Sequence, residues 1–155
     1  MKKPLLYLDT SVFGGVFDSE FQEDSRRVIA YINSGKATLI ISDTTLVEIN
    51  RAPERVQKLL LDIHGDNIIM AAYLSEAEAL SKCYLADGVV APKWKEDTLH
   101  VALATVNRAD AIISWNFKHI VRLDKIKAYN LVNTKNGYGV VTILSPKEVI
   151  IDEEE

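Results

Sequence analysis

Short apolar runs, each closed by polar or turn-forming residues, alternate along this chain with longer stretches of helical periodicity. Leu5-Leu6-Tyr7-Leu8 is the first such run; Asp9-Thr10-Ser11 closes it, which predicts a buried strand with Asp9 at its C-terminal edge. Phe21, Ser25, Val28 and Ile32 recur at helical spacing and Gly35 follows as a stop, predicting a helix over 21–34. A second strand follows at Ala37 to Ile41. Ser42 and Asp43 are N-cap types, and Leu46 and Ile49 behind them mark a helix with Glu48 beside its apolar stripe. Pro53 suits the first position of a further helix that buries Val56, Leu59, Leu60 and Ile63.

Asn67 to Ala71 reads as the third strand. Ser75-Glu76-Ala77-Glu78 has the S-x-x-E form of a capping box, and Gly88 supplies a stop about three turns on. In the helical stretch Lys93 to Arg108, Asp97, Val101 and Ala104 share one face, so Asp97 occupies an otherwise apolar stripe. Ala111 to Ser114 is the fourth strand, ending at Trp115-Asn116, and Val140 to Leu144 is the fifth. Asn130 to Gly139, rich in Asn, Lys and Gly, reads as the loop between them. Strands alternating with helices predict an α/β sandwich with a mainly parallel, roughly five-stranded sheet and right-handed crossovers. No internal repeat or linker divides the chain: one domain covers 1–151, and the acidic run 152–155 is a solvated tail.

Composition narrows the function. With 155 residues and 48% apolar content, one core forms without disulfides or a structural metal. The single cysteine, Cys83, excludes an intramolecular bridge; it fits a small core position in a reducing, cytoplasmic compartment. Asp9 cuts the first apolar run well short of a signal-peptide core, and no later run approaches the ~20 residues a membrane span needs. Eighteen basic and 22 acidic side chains leave a formal charge of −4. That argues against a nucleic-acid binder relying on an overall positive field, though not against an enzyme whose acidic site is offset by metal ions.

The acidic positions are where chemistry concentrates. In an open α/β sheet, ligands bind outside the carboxyl ends of the strands, above all where strand order reverses. Asp9 and Asn116 both stand at such ends; if the first and fourth strands are neighbours at the reversal, they face each other. Glu48 and Asp97, each early in a helix at the same edge, complete a ring. Carboxylates this close repel one another unless a hard divalent cation neutralises them, and Mg²⁺ or Mn²⁺ takes such oxygen ligands while leaving room for a phosphate. Phosphodiester hydrolysis is the chemistry that combination serves.

Four pieces in order resemble a known family: Leu8-Asp9-Thr10-Ser11-Val12, Val47-Glu48-Ile49, Asp97 to Ala104, and Ala109-Asp110-Ala111-Ile112-Ile113-Ser114-Trp115-Asn116-Phe117-Lys118-His119-Ile120. Val132-Asn133, Gly137-Tyr138 and Ser145 to Ile150 extend the likeness over nearly the whole chain. The sequence resembles PIN domain nucleases, in particular the toxin branch (VapC-type) of toxin–antitoxin pairs. That resemblance implies a PIN-like three-layer sandwich and a metal-dependent endoribonuclease, with Asp9, Glu48 and Asp97 as ligands for Mg or Mn. It also implies an RNA substrate, a homodimer and a cognate antitoxin. Where the fullest family pattern has a fourth acidic residue, this chain has Asn116, which offers a neutral carbonyl oxygen and lowers the site's charge. Asp110 does not substitute for it: four strand residues place it roughly 13 Å from Asn116, at the wrong end. Asp124 stays open as a contributor.

Plainer readings stand beside these. Asp9 could cap the turn after it, Glu48 could be a solvated or salt-bridged helical glutamate, and Asp97 a first-turn aspartate favoured by the helix dipole. Thr10 and Ser11 suit either a cap or the positioning of water. His100 and His119 read as structural hydrogen-bonders, His119 fixing the segment that presents Asn116. Trp94, between Lys93 and Lys95, fits a core seam flanked by solvated lysines, with base stacking against RNA as the other reading. Arg51, Arg55 and Lys118 are surface charges or phosphate contacts. Two other functions compete: a PIN-fold interaction module with a weakened site, and a haloacid-dehalogenase-like phosphatase. The phosphatase would want a second aspartate where Ser11 stands.

Overall fold

The computed structural model describes residues 2–149, so the acidic run 152–155 lies outside the described residues. Five short strands, β1 (Leu5–Leu8), β2 (Thr38–Ile41), β3 (Ile68–Met70), β4 (Ala111–Ile113) and β5 (Thr142–Leu144), form one sheet in the order β3-β2-β1-β4-β5. All four pairings are parallel: Tyr7 stands beside Ile40 on one side and Ile112 on the other, and Ile113 beside Leu144. The chain builds outward from β1 through β2 to β3, then returns to place β4 against the other side of β1. β1 and β4 are therefore the neighbours at which strand order reverses.

Alternation along the strands sends side chains to two apolar layers, which is why the runs are apolar throughout. Leu6, Leu8, Leu39, Ile41, Ala111 and Ile113 pack with helices α1 (Thr10–Gly15), α2 (Gln22–Asn33), α3 (Asp43–Asn50) and α4 (Glu54–Leu61). Tyr7, Ile40, Ile112 and Ile143 pack on the opposite face with α5 (Leu74–Ala86), α6 (Lys95–Val106) and α7 (Leu123–Lys135). The result is the three-layer α/β sandwich with a parallel sheet that the sequence predicted. Gly35 and Gly88 stop α2 and α5 with φ of +79° and +73°, as their positions implied.

Three local expectations are corrected. Asn130 to Gly139 is not a loop throughout, since α7 runs on to Lys135. Its asparagines serve as side-chain bonders instead of turn formers: Asn130 Oδ1 accepts the Val141 N–H at 2.8 Å, and buried Asn133 accepts the Tyr84 hydroxyl and donates to Thr105 Oγ1. Ser75 is no cap either. α5 begins one residue earlier at Leu74, behind Tyr73 in the left-handed region at φ 59°, with no side-chain cap. A reciprocal capping box stands at Ser145–Glu148, on the short 3-10 turn Pro146–Glu148. Finally, the turn after Asp9 extends into the six-residue α1.

Candidate active site

Asp9 ends β1 and caps α1, so both roles read from its sequence hold at once. Its N–H donates to Ile113 O at 3.1 Å, tying it to the end of β4. Its Oδ1 accepts the Ser11 N–H at 2.8 Å and the Ser11 hydroxyl, and its Oδ2 accepts the Ser114 hydroxyl at 2.7 Å. Each serine oxygen in turn accepts a backbone N–H from the strand-four exit: Ser11 from Trp115 at 2.9 Å, Ser114 from Asn116 at 2.9 Å. Asp9 is thus fixed and buried, at 5% exposure, by a lattice spanning both strand ends.

Glu48 reaches the same edge from the second turn of α3. Its Oε1 accepts the Thr10 hydroxyl at 2.8 Å and lies 2.6 Å from His100 Nε2, while no described protein donor engages Oε2. His100, from α6, is buried; its Nδ1 lies 2.7 Å from the Tyr7 hydroxyl, which lies 2.8 Å from Ser42 Oγ at the cap of α3. Burial opposes the imidazolium, but the Tyr7 oxygen, the Glu48 carboxylate and the charge of Asp9 outweigh it and push His100 up to about 10. A protonated ring donates from both nitrogens, to Glu48 Oε1 and to the Tyr7 oxygen. Burial likewise works to raise Glu48, and His100, Thr10 and Arg51 together hold it below its ordinary value.

Asp97 lies in the first turn of α6, opposite Asn116. Its Oδ2 is 3.0 Å from His119 Nδ1, and Asn116 lines the same groove. Burial pushes its carboxyl up; the Asn116 amide and His119 act against this, and the nearby charge of Asp9 adds to it. Asn116 Oδ1 accepts the N–H groups of Lys118 and His119 at 3.2 and 2.9 Å, closing an Asx-type turn at the end of β4. His119 meets Asn116 through its backbone N–H alone; its imidazole bonds Asp97 and stacks on Trp94.

The four residues named from sequence thus gather at the β1–β4 reversal. Among the described residues, however, no three His, Cys, Asp or Glu side chains form a ready metal cage. Asp110 lies at the opposite end, its Oδ2 accepting the Leu5 N–H at 2.6 Å. Asp124, left open by the sequence, is exposed and paired with Arg122 at 2.6 Å. Arg51 lines a groove of about 480 Å³ beside Glu48, between α3, α5 and α6. Trp94 is no core residue: it is 39% exposed and stacked on His119. Cys83 is half-buried at the margin of the core, with Sγ 3.6 Å from Asn136 Oδ1. Sequence reasoning missed Tyr7, hidden in an apolar run, although a buried tyrosine hydroxyl must find a partner. Among the described residues, no helix is long and apolar enough to cross a membrane.

Neither a family model nor a curated protein matches the sequence. Solved structures do match the fold. VapBC2 from Rickettsia felis, determined bound to a DNA fragment from its promoter, superimposes with a TM-score of 0.55 at 14% identity, covering 91% of this chain and 98% of that one. FitAcB from Neisseria gonorrhoeae gives 0.57 at 13% identity, covering 93% and 99%. Both contain a PIN-domain toxin component. At this identity the likeness speaks for the fold, and the fold is PIN-like.

Proposed function

We propose that this chain is a Mg²⁺- or Mn²⁺-dependent endoribonuclease, a cytoplasmic homodimer that acts as the toxin of a toxin–antitoxin pair. The carrying observation is the convergence of Asp9, Glu48, Asp97 and Asn116 at the β1–β4 switch point. The donor set suits a hard cation: it is all oxygen, and it leaves Glu48 Oε2 without a protein donor among the described residues. A divalent ion held by Asp9, Glu48 and Asp97 would polarise the scissile phosphoryl group and stabilise the leaving oxygen.

The chain's own residues supply the frame for that chemistry. Ser11 and Ser114 lock Asp9 in orientation, and Thr10 with His100 holds Glu48 by one oxygen and leaves the other without a protein donor. Asn116 adds a neutral group beside Asp97 and orients it together with His119. An antitoxin partner is supported by both structural neighbours being toxin–antitoxin complexes.

A second reading, an interaction module with a weakened site, draws on the missing fourth carboxylate and on the unassembled cage. One experiment separates the two: a mixed RNA panel incubated with Mg²⁺ or Mn²⁺, with Asp97→Asn as control. Cleavage by the wild type alone supports the nuclease. No cleavage, with no thermal stabilisation at millimolar metal, favours the module.

A further inference from the structure

We infer that Trp94 and His119 form a stacking platform for one base of a single-stranded RNA, beside the phosphate acted on at Asp97. Lys93 and Lys118 then take the adjoining phosphates. The inference rests on the ribonuclease reading and names where its substrate lies.

Trp94 ends the 3-10 turn Pro92–Trp94 and caps α6, yet its ring belongs to neither apolar cluster and is 39% exposed. It lies against His119 with centroids 4.5 Å apart and planes 28° from parallel. His119 anchors the pair. His119 is tied through Nδ1 to Asp97, through its N–H to Asn116, and through its carbonyl to the Tyr129 hydroxyl at 2.8 Å. A base stacked here is therefore placed directly relative to the carboxylate centre. Stacking tolerates any base, because every base has a π-face, but it needs a base that is free of a duplex.

The surrounding space fits a strand passing over the platform. Two grooves of about 380 and 410 Å³ share Trp94 and His119, and each has room for a nucleotide. The first runs from Lys93 and Lys95 to Asp97 and Asn116; the second is lined by Lys118, Arg122 and Lys125. In a chain of net charge −4, these five cations face only Glu96 and Asp97 among the grooves' own acidic residues. Arg122 is paired with Asp124, and Lys125 donates to Val89 O at 2.6 Å. Lys93, Lys95 and Lys118 make no ion pair among the described residues. Lys93 Nζ already lies 5.0 Å from the Trp94 centroid. A nucleotide offers both partners their preferred contact, its base to the ring and its phosphate to the ammonium.

The test is fluorescence anisotropy of a 5′-labelled single-stranded RNA octamer with the full chain in EDTA. Trp94→Ala should weaken binding roughly 5- to 150-fold, the worth of one stacked base, and Trp94→Phe should restore most of it. Lys118→Ala should lower the salt dependence by about one phosphate contact. The octamer should quench the tryptophan fluorescence of the wild type but not of Trp94→Phe, in which only buried Trp115 remains. A blunt RNA duplex should bind Trp94→Ala and the wild type alike. Wild-type affinity in Trp94→Ala, affinity as poor in Trp94→Phe as in Trp94→Ala, or no octamer binding by the wild type overturns the platform. If the wild type cleaves RNA with Mg²⁺ while Trp94→Ala binds normally, the platform falls and the nuclease stands. Trp94-dependent binding without cleavage gives the reverse.

Discussion

Replacing His100 by leucine removes the cation buried against Glu48, and its cost follows from the surroundings of the pair. The His100 side chain is 3% exposed and the Glu48 side chain 28%, with 2.6 Å between them. Removing one partner of a fully buried pair costs about 3–5 kcal/mol, because the other charge is left uncompensated. Glu48 is partly wet and keeps Thr10, so about 2–4 kcal/mol is expected here. For a domain of this size that is a Tm loss of roughly 4–16 °C. The pH dependence carries the mechanism. His100 is raised from 6.5 to about 10, so its stabilisation is complete below 6.5 and is lost as pH rises through about 10. Glu48 is lowered from 4.5, so its share is present above 4.5 and is lost as pH falls through its folded value. The gap between wild type and His100→Leu should therefore be widest between 4.5 and 6.5 and shrink steadily toward pH 10. Thermal unfolding followed by circular dichroism in EDTA measures it. A gap constant from pH 6 to pH 10 would mean that His100 is neutral in the folded chain, and the charge argument would fail.

Asp97→Asn should abolish RNA cleavage while leaving the fold as stable or up to about 1 kcal/mol more so, since it removes a half-buried carboxylate whose charge is disfavoured by burial and, to a lesser degree, by Asp9; cleavage and Tm on one preparation decide it. Asn116→Asp should behave oppositely with and without metal. In EDTA it places a second charge against Asp97 and lowers Tm, whereas with Mn²⁺ it should enlarge the metal-induced rise in Tm, and an unchanged rise would remove Asn116 from the site. Gly15→Ala should cost about 1–3 kcal/mol in chemical denaturation, because the new Cβ would stand 2.5 Å from Ser25 Oγ and 2.8 Å from Trp115 Nε1, two atoms bonded to each other at 2.8 Å.

The strands were legible because a parallel sheet buried on both faces demands uninterrupted apolar runs, and few other elements do. The reversal between β1 and β4 could be framed only as a condition, since nothing in a strand names its neighbour. α7 was hidden for a different reason. Its asparagines look like loop residues, and their reason for being helical is tertiary: Tyr84, Thr105 and Val141 offer partners drawn from distant sequence. Ser75 failed similarly, because the pattern of a capping box says nothing about a helix that begins a turn's fraction earlier behind a left-handed tyrosine.

The site divides along the same line. Strand ends and helix starts placed Asp9, Glu48, Asp97 and Asn116 at one edge, but the sequence offered a metal ion as the only relief for their mutual repulsion. The structure contains relief of its own. Asp9 takes three donors from Ser11 and Ser114, Glu48 takes a buried imidazolium and Thr10, and Asp97 takes His119 and Asn116. Apart from Ser11, two residues from Asp9, these partners are not recognisable from local pattern, since Glu48 and His100 lie 52 residues apart and Asp9 and Ser114 lie 105 apart. The consequence is physical. A carboxylate cluster balanced from within does not need a cation in order to fold, so on the proposed reading a divalent ion at this edge would serve the phosphate chemistry alone, and its removal should abolish cleavage without unfolding the chain.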